Sequence, residues 1–214
     1  MAVVTEPVRF LSGDLTLVGV VHRPQGLGLP AVAVCHPHPL FGGDMDNNVV
    51  VALCRALAGD GMVALRFNFR GVGGSGGSYG GGFGERQDAR VALDFLAGRA
   101  EVDGGRLGLA GYSFGALVAL SAADERVRAL AAVSPPAGGL DPTSFRGGVP
   151  TLLVSGDGDD VAPAARLPEM AASLGPPCEI RSVARADHFW WGYEETLATA
   201  VLEFFRAQLM APEV

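Results

Sequence analysis

Two short stretches of the chain and a cluster of acids carry side chains suited to nucleophilic catalysis. "GLAGYSFGALVAL" sets Ser113 between Gly111 and Gly115, the spacing G-x-S-x-G. "TLLVSGDGDDVAP" supplies Asp157, Asp159 and Asp160, and "SVARADHFWWG" supplies His188. A serine hydroxyl is a poor nucleophile until a base takes its proton, and an imidazole base needs a carboxylate to fix its tautomer. If a helix starts directly after Ser113, the Phe114 amide lies at its N-terminus. There N–H groups lack partners and the helix dipole favours negative charge, so this amide suits a developing oxyanion.

Another stretch, "CHPHPLFGGDMDN" over residues 35 to 47, raises a different chemistry. His36 and His38 could bind a metal with Asp44 or Asp46 as a third ligand. Only four histidines exist, His188 is better used as a base, and the acids enter a predicted helix where negative charge is favoured. No third ligand has a diagnostic spacing, so no metal is expected. "GVGGSG" (71 to 76) matches a dinucleotide fingerprint, but glycines continue past it where a helix would have to start. It reads instead as a flexible wall of a substrate cleft, and no cofactor is expected.

Strand and helix patterns alternate in a way that positions these residues. "VRFLSGDLTLVGVVHRP" reads as an antiparallel hairpin turning at Gly13-Asp14. Strands are expected at 31 to 35, 62 to 69, 106 to 111, 127 to 134, 151 to 156 and 178 to 184. Helices are expected from Asn47 or Asn48 to a stop at Gly59 or Gly61, at 85 to 98, after Ser113, at 163 to 174 and at 192 to 209. Such alternation implies a single α/β domain whose mostly parallel sheet has helices on both faces. Sites then lie at the carboxyl ends of strands, which is where Ser113, the three acids and His188 fall.

Composition narrows the rest. Apolar residues make up 49 % of the 214 and charged residues 18 %, so the chain can bury a large core. The net charge of −7 and the lack of any basic run argue against nucleic acid. All 16 basic residues are arginine, which removes Schiff-base lysine chemistry and the P-loop. Cys35, Cys54 and Cys178 read as buried thiols. No apolar run has the length of a membrane span, and Glu6 and Arg9 do not fit a signal peptide. A soluble cytoplasmic protein is expected, with no membrane partner.

Together "HPHPLFGGDMDN", "LRFNFRGVGGSGG", "GYSFGA", "GDGDDVAP" and "DHFWWG" resemble the α/β-hydrolase superfamily of serine hydrolases. The chain is similar to its small lidless branch of predicted esterases and dienelactone-hydrolase-like proteins, along nearly its whole length. The order Ser, Asp, His agrees with that superfamily. The resemblance implies a sheet of about eight strands, a site without a cap domain and a small-molecule ester as partner; a homodimer is compatible with it. Its acid pattern G-x-x-D-x-x-x-P selects Asp159 over Asp160 and Asp157 as the partner of His188. It makes Asn68 and Arg70 residues that orient loops. It also places the second oxyanion donor on the loop after the third strand. Pro37 and Pro39 have no N–H, which leaves His38, Leu40 and Phe41; the donor is His38 or Leu40, with Leu40 preferred. Phe41, Phe189 and Trp190 are candidates to line the substrate cleft, although each serves a core equally well. Residues 134 to 149, the usual place of a cap, are too few for a helical domain.

Overall fold

The computed structural model describes residues 3–136 and 147–210. Eight strands form one sheet in the order β1-β2-β4-β3-β5-β6-β7-β8. β1 (Val3–Ser12) and β2 (Leu15–Pro24) make the expected hairpin, with Gly13 at the turn adopting φ 60°. A positive φ of this kind is free of steric cost only for glycine. β2 also runs antiparallel to β4 (Val63–Phe67). The remaining pairs are all parallel: β4 with β3 (Leu29–Cys35), then β5 (Val102–Tyr112), β6 (Val127–Val133), β7 (Thr151–Gly156) and β8 (Cys178–Val183). β3 and β7 are buried along nearly their whole length because helices cover both faces of the sheet there.

Two cores result. On one face α2 (Phe83–Ala97), α3 (Phe114–Ala122) and α4 (Leu167–Leu174) pack on side chains such as Ala33, Leu65 and Leu109. On the other, α1 (Asn48–Gly59) and α5 (Glu194–Leu209) cover Val32, Val34, Ala110 and Val154. Every residue of α3 is buried, so this helix has no polar face to lose and its direction is fixed by packing all round. Asn47 caps α1, its Oδ1 accepting from the Val49 amide at 3.0 Å.

Some boundaries depart from expectation. β5 begins at Val102, because its first residues pair with β3 through an irregularity in register. α4 begins at Leu167 and not near 163, since residues 164 to 166 form a separate 3-10 turn. Of the expected cap slot, residues 137 to 146 lie outside the described residues. Among the described residues no helix is long and apolar enough to cross a membrane. Cys35 and Cys54 are buried and Cys178 is half-buried; all three are free thiols. Burial pushes the Cys54 thiol up to about 12, so it stays protonated.

Candidate active site

The turn from β5 into α3 places Ser113 at φ 56° and ψ −121°, outside the regions L-residues prefer. Its backbone is held there by its own N–H donating to the Val133 carbonyl at 2.8 Å. The flanking glycines are required by contact. A Cβ on Gly111 would lie 2.0 Å from the Gly115 carbonyl oxygen, and one on Gly115 would lie 2.4 Å from that of Cys35. The elbow is therefore pressed against both its own helix and the end of β3. Phe114 is the first residue of α3, so its N–H has no acceptor within the helix.

His188 lies in the loop after β8, with its Nε2 3.0 Å from Ser113 Oγ. Its Nδ1 is 2.9 and 3.0 Å from the two carboxylate oxygens of Asp159. An ionised carboxylate only accepts, so Nδ1 carries the proton and Nε2 turns its lone pair to the serine. Asp159 is 3 % exposed. Burial pushes its carboxyl up, but the hydrogen bonds it accepts from the His188 N–H and the Ala162 amide, with a smaller influence of the nearby Ser134 hydroxyl, hold it below the ordinary aspartate range. The neighbouring acids are used otherwise. Asp157 accepts from the Arg185 amide at 2.5 Å, Asp160 is exposed, and Asp187 caps the turn by accepting from the Phe189 and Trp190 amides. Tyr112, which sequence reasoning passed over, donates its hydroxyl to the His188 carbonyl at 2.5 Å. It joins the nucleophile's strand to the base's loop, and its position next to Ser113 was the available signal.

In the loop after β3 the amide of Leu40, the preferred candidate, is bonded within its own turn. Residues 39 to 41 form one 3-10 turn, and the Leu40 N–H donates to His38 Nδ1 at 3.2 Å. The Phe41 and Gly43 amides donate to the His38 carbonyl, and Gly42 to that of Pro39. Leu40 is thus committed within its own turn. The His38 amide has no protein acceptor among the described residues, so of the two candidate amides it is the uncommitted one. The paired imidazoles are also occupied. His36 donates from Nδ1 to the Pro37 carbonyl at 2.7 Å and accepts at Nε2 from the Phe69 amide at 3.1 Å. His38 accepts from Leu40 at Nδ1, so its Nε2–H donates to the Tyr79 hydroxyl at 3.2 Å. Asp46 pairs with Arg66, and Asp44 closes its own turn. Among the described residues no three His, Cys, Asp or Glu side chains converge as a ligand set.

A cleft of about 690 Å³ opens above Ser113. Its lining includes His38, Phe41, Tyr79, Phe114, Val161 and Phe189. The rings of His38 and Phe114 are 4.7 Å apart, and those of His38 and Tyr79 5.1 Å. Trp190 is a correction: it is fully buried, belongs to the core under α5, and donates its indole N–H to Ser134. Its backbone has a positive φ of 62°. The glycine loop is a wall, contributing Tyr79 and Gly81, but it is pinned. Buried Glu85 accepts from the Gly80 and Gly82 amides at 2.8 and 2.7 Å. Arg70 and Ser12 both donate to the fully buried carboxylate of Asp88, and Asn68 accepts from the Met45 amide. Tyr79 was hidden in the sequence by the glycines around it.

A mostly parallel sheet of this order, with a strained serine turn at the end of β5 and an imidazole beside it, defines the serine hydrolases of the α/β-hydrolase fold. The sequence profile of the X-Pro dipeptidyl-peptidase (S15) family matches residues 13–175, and the chain belongs to that family. The matched span includes Ser113 and Asp159 and stops short of His188. The chain is similar to an α/β serine hydrolase homologue from Coxiella burnetii, at 34 % identity over 92 % of this chain and 96 % of the other, with a TM-score of 0.83. It is similar to an α/β serine hydrolase without lid from Xanthomonas campestris, at 31 % identity over 98 % and 97 %, with a TM-score of 0.86. A shorter likeness, 42 % identity over 79 residues, links 35 % of the chain to 26 % of a bis(hydroxyethyl) terephthalate hydrolase of Streptomyces coelicolor.

Proposed function

We propose that the protein is a carboxylesterase that hydrolyses small soluble esters through Ser113, His188 and Asp159. The observation that carries this reading is the unbroken series from the Ser113 hydroxyl through His188 to the Asp159 carboxylate, at 3.0 and 2.9 Å. In the first half-reaction Ser113 Oγ bonds to the ester carbonyl carbon while its proton passes to His188 Nε2. The carbonyl oxygen becomes an oxyanion, held by the amides of Phe114 and His38. The intermediate collapses, the bond to the leaving alkoxy oxygen breaks, and His188 returns the proton to it. Water then repeats the sequence on the acyl-enzyme, releasing the acid and restoring Ser113. Asp159 fixes the imidazole tautomer and steadies the imidazolium throughout. No step calls on a metal or cofactor.

The cleft volume suits a small molecule, and the Streptomyces relative is by name an ester hydrolase. The family's own name favours a second reading, cleavage of an amide after proline. A dipeptidyl substrate would bring a cationic amino terminus that needs an acidic partner, and among the described residues none lines the cleft. A non-catalytic binder on the same fold is the reading from another class.

Turnover of p-nitrophenyl esters of increasing acyl length, beside X-Pro-p-nitroanilides, separates these readings. Preference for short acyl chains and loss of activity by at least about 10⁴-fold in Ser113→Ala are expected. Full activity in Ser113→Ala, or turnover of the anilides alone, overturns the esterase reading. A binder would remain unlabelled by a serine-directed fluorophosphonate.

A further inference from the structure

The polar side chains that line the cleft are His38, Asn47, Tyr79, Tyr112, Ser113 and His188. Among the described residues no carboxylate or guanidinium joins them. Most of their hydrogen-bonding capacity is already used. Ser113 and His188 are bonded to each other, and Tyr112 donates to the His188 carbonyl. His38 accepts at Nδ1 from the Leu40 amide and donates from Nε2 to the Tyr79 hydroxyl.

Two donors remain. The Tyr79 oxygen accepts from His38, so the hydrogen of that hydroxyl points elsewhere, and no acceptor meets it among the described residues. The hydroxyl lies on the cleft side of Tyr79, because the imidazole that bonds it lines the cleft as well. Its direction is set by the loop. Nδ1 of His38 must stay bare to accept from Leu40, so the ring proton sits at Nε2 and the Tyr79 oxygen stays an acceptor on that side. Packing fixes the same ring, with its centroid 4.7 Å from that of Phe114 and 4.8 Å from that of Phe41. Burial, and then Glu85, raise Tyr79 above the ordinary tyrosine value, so it keeps its hydrogen at neutral pH. At the start of α1, Asn47 Oδ1 accepts from the Val49 amide at 3.0 Å. This leaves Nδ2 with two N–H groups, and no acceptor meets them among the described residues. A cleft with spare donors on otherwise apolar and aromatic walls is complementary to a ligand that brings acceptors.

We infer that the cleft selects esters whose acyl or alcohol part carries a further acceptor oxygen (an ether, a hydroxyl or a second carbonyl), and that Tyr79 and Asn47 are the residues that recognise it. A purely alkyl ester would take water from both donors and give nothing back, which costs binding. The inference rests on the esterase reading for its kinetic test and not for its binding test.

Isosteric ester pairs make the test. p-Nitrophenyl methoxyacetate is set against the butyrate, and the methoxyethoxyacetate against the heptanoate. Methoxyethyl butyrate is set against butyl butyrate, so that both sides of the reacting carbonyl are probed. The readout is the ratio of kcat/KM for the ether member to that for the alkyl member, compared between proteins so that intrinsic reactivity cancels. Tyr79→Phe keeps the ring and removes the hydroxyl. Asn47→Asp keeps the acceptor that caps α1 and removes the N–H groups. With far-UV circular dichroism confirming the fold, each should lower the ratio about three- to ten-fold in at least one pair, the size of one lost hydrogen bond. A ratio unchanged in every pair in both folded variants overturns the inference. So does a loss that falls equally on both members, since Tyr79 would then only support the His38 ring. If neither variant folds, the wild-type ratio is divided by that for hydroxide-catalysed hydrolysis, and a quotient at or below one in every pair overturns the inference. If the wild-type protein turns over no ester, the proposed function fails alone. The inference is then read by NMR titration with the same pairs. A ratio of affinities lowered in Tyr79→Phe supports it, and an unchanged one overturns it.

Discussion

His36 shows how much one side chain can decide. Both ring nitrogens are bonded to backbone, one to the Pro37 carbonyl and one to the Phe69 amide, which ties the end of β3 to the loop after β4. A ring that must accept at Nε2 cannot be an imidazolium. Burial pushes His36 down to about 4, against a smaller opposing effect of its bond to Pro37. His22 is pushed to about 4 as well, by burial and then by Arg66 and Arg55. For such groups the unfolded chain binds protons first as pH falls. Their stabilisation is complete above the ordinary histidine value of about 6.5 and is lost progressively down to about 4. The urea midpoint should therefore fall between about pH 7 and about pH 5, by an amount equivalent to about 1–3 kcal/mol for the two rings together. A midpoint constant across that interval would show that these rings titrate normally in the fold.

At the scale of elements, the site depends on how closely the elbow approaches β3. Gly115→Ala would bring a methyl within 2.4 Å of the Cys35 carbonyl oxygen, which is backbone and cannot rotate aside. The helix start would have to lift, at a cost of about 1–3 kcal/mol. Because Phe114 and His38 sit on the two elements being separated, activity should fall more than stability. Parallel measurement of kcat/KM and the denaturation midpoint checks this, and a fully active variant would mean the contact is soft. The glycine pattern that made the elbow readable in the sequence records this contact. The mostly parallel sheet was readable too, because buried parallel strands leave unbroken apolar runs such as "AVAVC". Other features were not. Leu40 and His38 are both spare amides on paper, and only the 3-10 turn over residues 39 to 41 commits Leu40 to the His38 ring. Trp190 could not be assigned to core or cleft, since the same aromatic side chain suits either. Only the folded packing decides the matter, burying Trp190 completely with its indole N–H on Ser134.

For the whole molecule, the relation of cleft to solvent sets what the protein can act on. β6 and β7 are adjacent and parallel, and only residues 134 to 150 connect them. Phe41 and Phe189 stand at the cleft with 87 % and 59 % of their surfaces exposed. The connection between β6 and β7 has too few residues for a helical domain that would open at an oil–water boundary. The rate of hydrolysis should follow a simple saturation curve as a sparingly soluble ester, such as tributyrin, passes its solubility limit. A sharp rise in rate at that limit would mean that some segment acts as a lid.

The strand order also says how the molecule could be fixed to a solid support. β1 is an outer edge of the sheet, and three strands separate it from β5, which carries Ser113. At the usual spacing between strands that places the two about 19 Å apart. Amine coupling has no lysine to use, and two of the three thiols are sealed in the core. A cysteine placed at exposed Thr5 on β1 would give a reactive handle on the flank away from the site. Beads or electrodes loaded through it would carry the catalyst with its mouth toward the liquid.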